Sequence, residues 1–194
     1  MIQKNKEIVM NKTVLVLAAV LSLGLVGIAR ANEAGQTPAE KQECVMPPPY
    51  VGSAPFEKMK TLAGTWEGEN PMSPLGKMKV VYEVTSNGSA VVERLDPGTP
   101  HEMVSVYHDE KGKLVMTHYC AIGNQPKLAL ASATDNQIKL DFAKGNVINP
   151  KKEDHMHSLV LTFQGPNQMT QEWAGYHGGK LQPPTTLKLS RTGG

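Results

Sequence analysis

The residues with the most chemical potential in this chain are a few histidines, one carboxylate in apolar surroundings and two cysteines. His155-x-His157 sets two imidazoles on one face of an extended strand, a spacing that can chelate a divalent metal with His118 or Glu93 as a third ligand. The same pair fits two histidines in water beside the Lys151-Lys152-Glu153-Asp154 loop. That plainer reading is favoured, because spacing alone does not specify a metal geometry. His118 and Cys120 also share a strand face, but their bases stand about 6 to 7 Å apart, long for direct proton transfer. Glu93 sits among valines and leucines, where low dielectric forces a carboxylate to pair with a cation or take up a proton. With His118 it could serve as a general acid–base pair.

These groups need a scaffold, and the chain has a period-two pattern from Leu62 onward. Strands are expected at 62–68, 77–86, 89–95, 101–108, 113–121, 127–133, 137–143, 155–164, 169–176 and 185–191. Asn87-Gly88 is the strongest turn signal, since both residues accept positive φ and close a two-residue hairpin. No helical stretch is long enough for a parallel crossover. Successive strands are therefore antiparallel neighbours, and closing the sheet removes its exposed edges. The expected fold is all-β: a closed up-and-down antiparallel barrel of about ten strands with a short N-terminal helix. That helix begins at Ser53 as cap, has Pro55 in its first turn, and packs Phe56, Met59 and Leu62 on the barrel.

Alternate connections are tight at 87–88, 109–112, 134–136 and 165–168, and long at 69–76, 96–100, 122–126, 144–154 and 177–184. One end of the barrel is thus pinned by hairpins, and the long-loop end is expected to be the mouth. The Asn87-Gly88 register pairs Val84 with Val91 and Tyr82 with Glu93. The interior face then reads Met78, Val80, Tyr82, Val84, Val91, Glu93 and Leu95. On the next hairpin Val104, Val106, Leu114, Met116, His118 and Cys120 are taken as interior, on apolar content. His155, His157, Leu159, Leu161 and Phe163 follow on one strand, and Met169, Gln171 and Trp173 on another. The candidate ligand-binding residues are Tyr82, Glu93, Val104, Met116, His118, His157, Gln171 and Trp173. The weak metal candidates are His118, His155 and His157.

Residues 1–31 do not fit the barrel. Lys4, Lys6 and Lys12 precede an apolar run from Val14 to Ile28, then Ala29-Arg30-Ala31. That order is the order of a secretory signal peptide, and the run is short for a membrane span of roughly 20 residues. Met10 is an alternative start. The leader holds four of the 20 basic and one of the 18 acidic residues, so the remainder carries a net charge of −1. Nucleic-acid binding is not expected of such a surface. Residues 32–52, with Pro47-Pro48-Pro49, read as a flexible arm before a barrel domain at 53–194. Export permits a disulfide between Cys44 and Cys120, with two free thiols as the alternative.

Leu62-Ala63-Gly64-Thr65-Trp66-Glu67-Gly68 stands at the start of the first strand. It resembles the Gly-x-Trp signature of the calycin superfamily: lipocalins, fatty-acid-binding proteins and nitrobindin-like barrels. Arg191, on the last strand, matches the basic residue that packs across that tryptophan in lipocalins. The layout is similar to bacterial lipocalin-like exported proteins. The resemblance gives Gly64, Trp66 and Arg191 a structural role and implies binding of small apolar ligands or haem. The residues best support an exported, periplasmic or secreted barrel that holds a largely apolar small molecule and has no membrane span after leader cleavage. The alternatives are a haem- or divalent-metal-binding barrel using the histidines, and a barrel enzyme using Glu93 and His118.

Overall fold

The computed structural model describes residues 45–70 and 76–194. The expected signal peptide, most of the arm and Cys44 lie outside the described residues. Helix α1 (Ala54–Lys60) comes first. Ser53 caps it by accepting from the Phe56 N–H, and a proline stands in its first turn. Eleven strands follow: β1 (Gly64–Glu69), β2 (Lys77–Thr85), β3 (Ala90–Leu95), β4 (Met103–Glu110), β5 (Lys113–Tyr119), β6 (Lys127–Thr134), β7 (Gln137–Phe142), β8 (His155–Phe163), β9 (Gln168–His177), β10 (Lys180–Leu181) and β11 (Thr185–Gly193). The ten expected strands appear within two residues at each end, and β10 is a two-residue addition.

Each strand pairs antiparallel with its neighbours from β1 to β8. β8 pairs with β9, β9 with β11 and β11 with β1, so ten strands close a barrel. β10 pairs only with the end of β9. The Asn87-Gly88 turn holds the expected register: Tyr82 opposes Glu93 and Val84 opposes Val91. Ser89 N–H donates to the Ser86 carbonyl at 3.1 Å to close it. Positive φ extends back from Asn87 to Ser86. Among the expected interior residues of this hairpin, Val84 is the exception: it lies next to the turn and is exposed.

The tight-turn end is filled. Phe56, Met59 and Leu62 are buried there with Trp66, and burying each such side chain contributes about 1.5–3 kcal/mol. Arg191 lies over the Trp66 ring at 4.3 Å. It donates to the backbone carbonyls of Thr61 at 2.8 Å and Ala63 at 2.5 Å. Trp66 Nε1 donates to the Leu62 carbonyl at 2.8 Å. One cation and one indole thus tie α1's exit to the first and last strands. Residues 45–52 run over the same end. Asn87 Nδ2 donates to the carbonyls of Pro47 and Pro48, and the Tyr50 N–H donates to the Asn87 carbonyl. The Ser53 hydroxyl donates to Asp109 at 2.8 Å.

No helix among the described residues is long and apolar enough to cross a membrane.

Candidate functional site

The barrel interior is layered, because strand alternation puts every second side chain inside. The layer nearest the long loops encloses a cavity of about 250 Å³ lined by Met78, Leu95, Met103, Met156, Trp173 and Leu187, with Asn70, Thr185 and His118. It opens at the end where the mouth is expected. A larger hollow, about 710 Å³, lies at the other end beside α1. Of its two cations, Arg191 is already committed to Trp66 and to backbone carbonyls, and Lys58 lies over the Phe163 ring at 4.8 Å.

One step deeper on the same strands is a buried polar network centred on Glu93, which has no exposed surface. Tyr82 donates to Glu93 Oε1 at 2.6 Å, and Tyr107 donates to Oε2 at 2.7 Å. Gln171 Nε2 donates to Glu93 Oε1 at 2.6 Å and to the Tyr82 oxygen at 2.5 Å. Trp173 Nε1 donates to Gln171 Oε1 at 2.9 Å, which carries the network up to the cavity wall. Ser105 Oγ lies 3.0 Å from His118 Nδ1, and the His118 ring sits 4.9 Å from that of Trp173. Burial raises the Glu93 carboxyl above its ordinary value, and the hydrogen bonds from Tyr82, Tyr107 and Gln171 work against that rise. Burial and the facing carboxylate raise both tyrosines. Burial alone brings His118 down to about 4, so it is a neutral imidazole near pH 7.

His118 and Trp173 line the cavity. Tyr82, Glu93 and Gln171 lie in the layer beneath it, joined to one another, and Met116 is buried one step deeper than His118 on β5.

Val104 corrects the expectation. The β4–β5 hairpin turns at Lys111-Gly112, both at positive φ, so Glu110 opposes Lys113. Ser105 then opposes His118 and Tyr107 opposes Met116, while Val104 opposes Tyr119, which is exposed. Residues directly opposite share a face. Val104 and Val106 therefore face outward, and Ser105 and Tyr107 occupy the interior. The apolar β-branched pair suggested the wrong face. Counting back from a two-residue Lys111-Gly112 loop would have found the right one.

A bulge corrects the reading of β8. The register with β9 shifts between Met156 and Ser158, leaving His157 without an opposite residue. Met156 lines the cavity instead of a histidine. His155 and His157 belong to a cluster with Phe142 and Tyr176: His155 stacks on Tyr176 at 5.2 Å and His157 on Phe142 at 5.3 Å. His155 Nδ1 lies 2.7 Å from the Glu153 carbonyl, and its Nε2 lies 3.1 Å from His157 Nδ1. The two rings thus spend nitrogens on each other, while His118 faces Ser105 and Trp173. No group of three His, Cys, Asp or Glu side chains placed to hold a metal occurs among the described residues. Cys120 is half-buried just past β5 and forms no disulfide among the described residues; its proposed partner Cys44 lies outside them.

No protein-family model matches the chain, and no curated protein matches it. Among solved structures it is similar to the crystal structure of Rv2717c from M. tuberculosis, at 14% identity. That match covers 73% of this chain and 99% of that one, with a TM-score of 0.47.

Proposed function

We propose that this chain is an exported barrel of the calycin type that carries a small, largely apolar molecule in its mouth cavity. The observation that supports it best is the cavity itself. Six of its nine lining residues are apolar or aromatic, and it lies where long loops leave the barrel open. An apolar hollow with a few convergent polar groups is the usual form of a small-molecule site. Its volume is below the roughly 300–1,000 Å³ of drug-sized sites, so the ligand is compact. Gly64, Trp66 and Arg191, placed as in the calycin signature, support the family reading. The leader at 1–31 supports export to the periplasm or beyond. Glu93 does not line the cavity, so a bound molecule meets His118 and Trp173 and not the carboxylate.

Native mass spectrometry of the protein purified from its own host tests the carrier reading. The expected result is a bound mass of a few hundred daltons or less that is lost on denaturation. An apo mass that stays unchanged after incubation with small phenols, indoles, fatty alcohols and short fatty acids overturns it. N-terminal sequencing of the same sample tests the leader, with a mature start close to residue 32 expected.

A further inference from the structure

The large apolar side chains left in water among the described residues gather at two places. Val45, Met46, Tyr50, Val51 and Val84 belong to the filled end. Tyr119, Ile122, Val147 and Leu181 stand at the long-loop end, with Val147 97% and Ile122 61% exposed. A single exposed apolar residue is ordinary, but these are held on one surface. The connections 122–126, 144–154 and 177–184 meet at Asp154. Its main-chain carbonyl accepts from Asn124 Nδ2 at 2.6 Å, its Oδ1 accepts from the Gly178 N–H at 2.9 Å, and its Oδ2 lies 2.5 Å from His177 Nδ1. The three tips are thus tied side by side. Their free charges are of one sign. Lys144, Lys151, Lys152 and Lys180 are exposed, and none pairs with a carboxylate among the described residues. The two acids of the same connections are taken up by backbone N–H groups: Glu153 accepts from Asn149 at 2.7 Å, and Asp154 from Gly178. Residues 32–194 carry a net charge of −1, so this cationic character is local.

We infer that this end of the barrel docks on the surface of an anionic lipid bilayer, with Ile122, Val147 and Leu181 entering the headgroup region and the four lysines against lipid phosphates. Apolar tips beside unpaired cations are the form of a surface that rests in the interface without spanning it. Two-fold pairing with a second copy would set the lysines against their own like charges. A folded protein partner presents fixed pockets, whereas these tips are single side chains on separate connections, interleaved with lysines, which suits a soft surface. Tyr119 adds an amphipathic ring of the kind that sits at headgroup level. On the other side of the mouth the 96–100 connection offers neither feature: it exposes no large apolar side chain, and Asp96 accepts from the Lys79 N–H. The cavity opens at the docking end, so its mouth comes against lipid. The docking stands apart from the carrier reading, because a barrel with nothing in its cavity presents the same surface.

The test is vesicle flotation of residues 32–194, which lack the apolar leader that would itself enter lipid. One set of vesicles is phosphatidylcholine, the other an equal mixture of phosphatidylcholine and phosphatidylglycerol. Binding to the mixed vesicles is expected, weaker at high salt, with little or none to phosphatidylcholine alone. A lysine near an anionic surface is worth about fivefold in partitioning, so Lys151→Ala with Lys152→Ala should weaken binding about 25-fold. Val147→Asp should weaken it about tenfold or more. Met46→Ser, an exposed apolar site at the filled end, should leave it unchanged. All of these side chains are exposed, so the variants keep the fold. Failure to float with the mixed vesicles, or equal flotation with both kinds, would overturn the docking and leave the carrier reading standing. A loss in Met46→Ser as large as in Val147→Asp would overturn its placement at the mouth. Binding to soluble polyglutamate as tight as to the vesicles, indifferent to Val147→Asp, would overturn the lipid assignment in favour of an acidic protein partner.

Discussion

At the scale of single residues, the fold commits a histidine and a glutamate to the interior, with no cation beside either among the described residues. Their effects on stability run in opposite directions with pH. His118 has an ordinary value of 6.5 and is brought down to about 4 by burial. Below pH 6.5 the unfolded chain takes up a proton that the folded chain refuses. Stability therefore falls as pH drops from 6.5 to about 4, by about 3 kcal/mol at most. Glu93 is raised above 4.5, so the folded chain holds its proton more tightly, and its contribution grows as pH falls toward 4.5. Urea unfolding at pH 7 and pH 4.5 should show His118→Phe losing less stability on acidification than the wild type. An unchanged pH dependence in that variant would mean that the imidazole is solvated. Tyr82, Glu93, His118, Gln171 and Trp173 were legible as interior residues because their strands alternate cleanly around a recognisable turn. Ser105 and Tyr107 were not, because two polar side chains point inward while Val104 and Val106 point outward. Hydrophobicity ranks that strand backwards, and only the cross-strand hydrogen bonds explain it.

At the scale of elements, the seam between β1 and β11 holds the tightest glycine position among the described residues. A Cβ added at Gly68 would stand 1.9 Å from the Lys188 carbonyl oxygen, a backbone atom that cannot step aside. Gly68→Ala should therefore part the two strands and cost about 3 kcal/mol or more. Gly193→Ala, where the nearest atom is 3.7 Å away, should cost little. Thermal unfolding of the two variants checks the contrast, and equal melting temperatures would show that the seam yields. The strands themselves were readable because period-two alternation and Gly- or Asn-bearing turns are local signals. The β8 bulge was not readable. One extra residue leaves no mark in the composition, yet it takes His155 and His157 out of the cavity and puts Met156 in.

At the scale of the molecule, the barrel is closed below and hollow above. The lower layers are filled by Trp66, α1 and the aliphatic core. Substitutions in the two regions should separate accordingly. Phe56→Ala empties a fully buried site at the filled end and should cost about 3–5 kcal/mol without changing ligand affinity. Met103→Ala in the half-buried cavity wall should change affinity more than stability. Calorimetric melting and ligand titration on the same two proteins check this, and a Phe56→Ala variant that melts normally would show that α1 is dispensable.

Both ends of the described domain come to the filled side. Residues 47 and 48 rest on the Asn87 turn, and Gly194 lies against Ala63 and Gly64. The barrel can therefore be tethered by either end, to a bead, a sensor chip or a fusion partner, with its opening turned toward the bulk solution. The same geometry favours circular permutation. A short linker could join the old ends across the base, and new ends cut into the 143–154 connection would let the rim be spread or capped without disturbing the strands that hold the rest together.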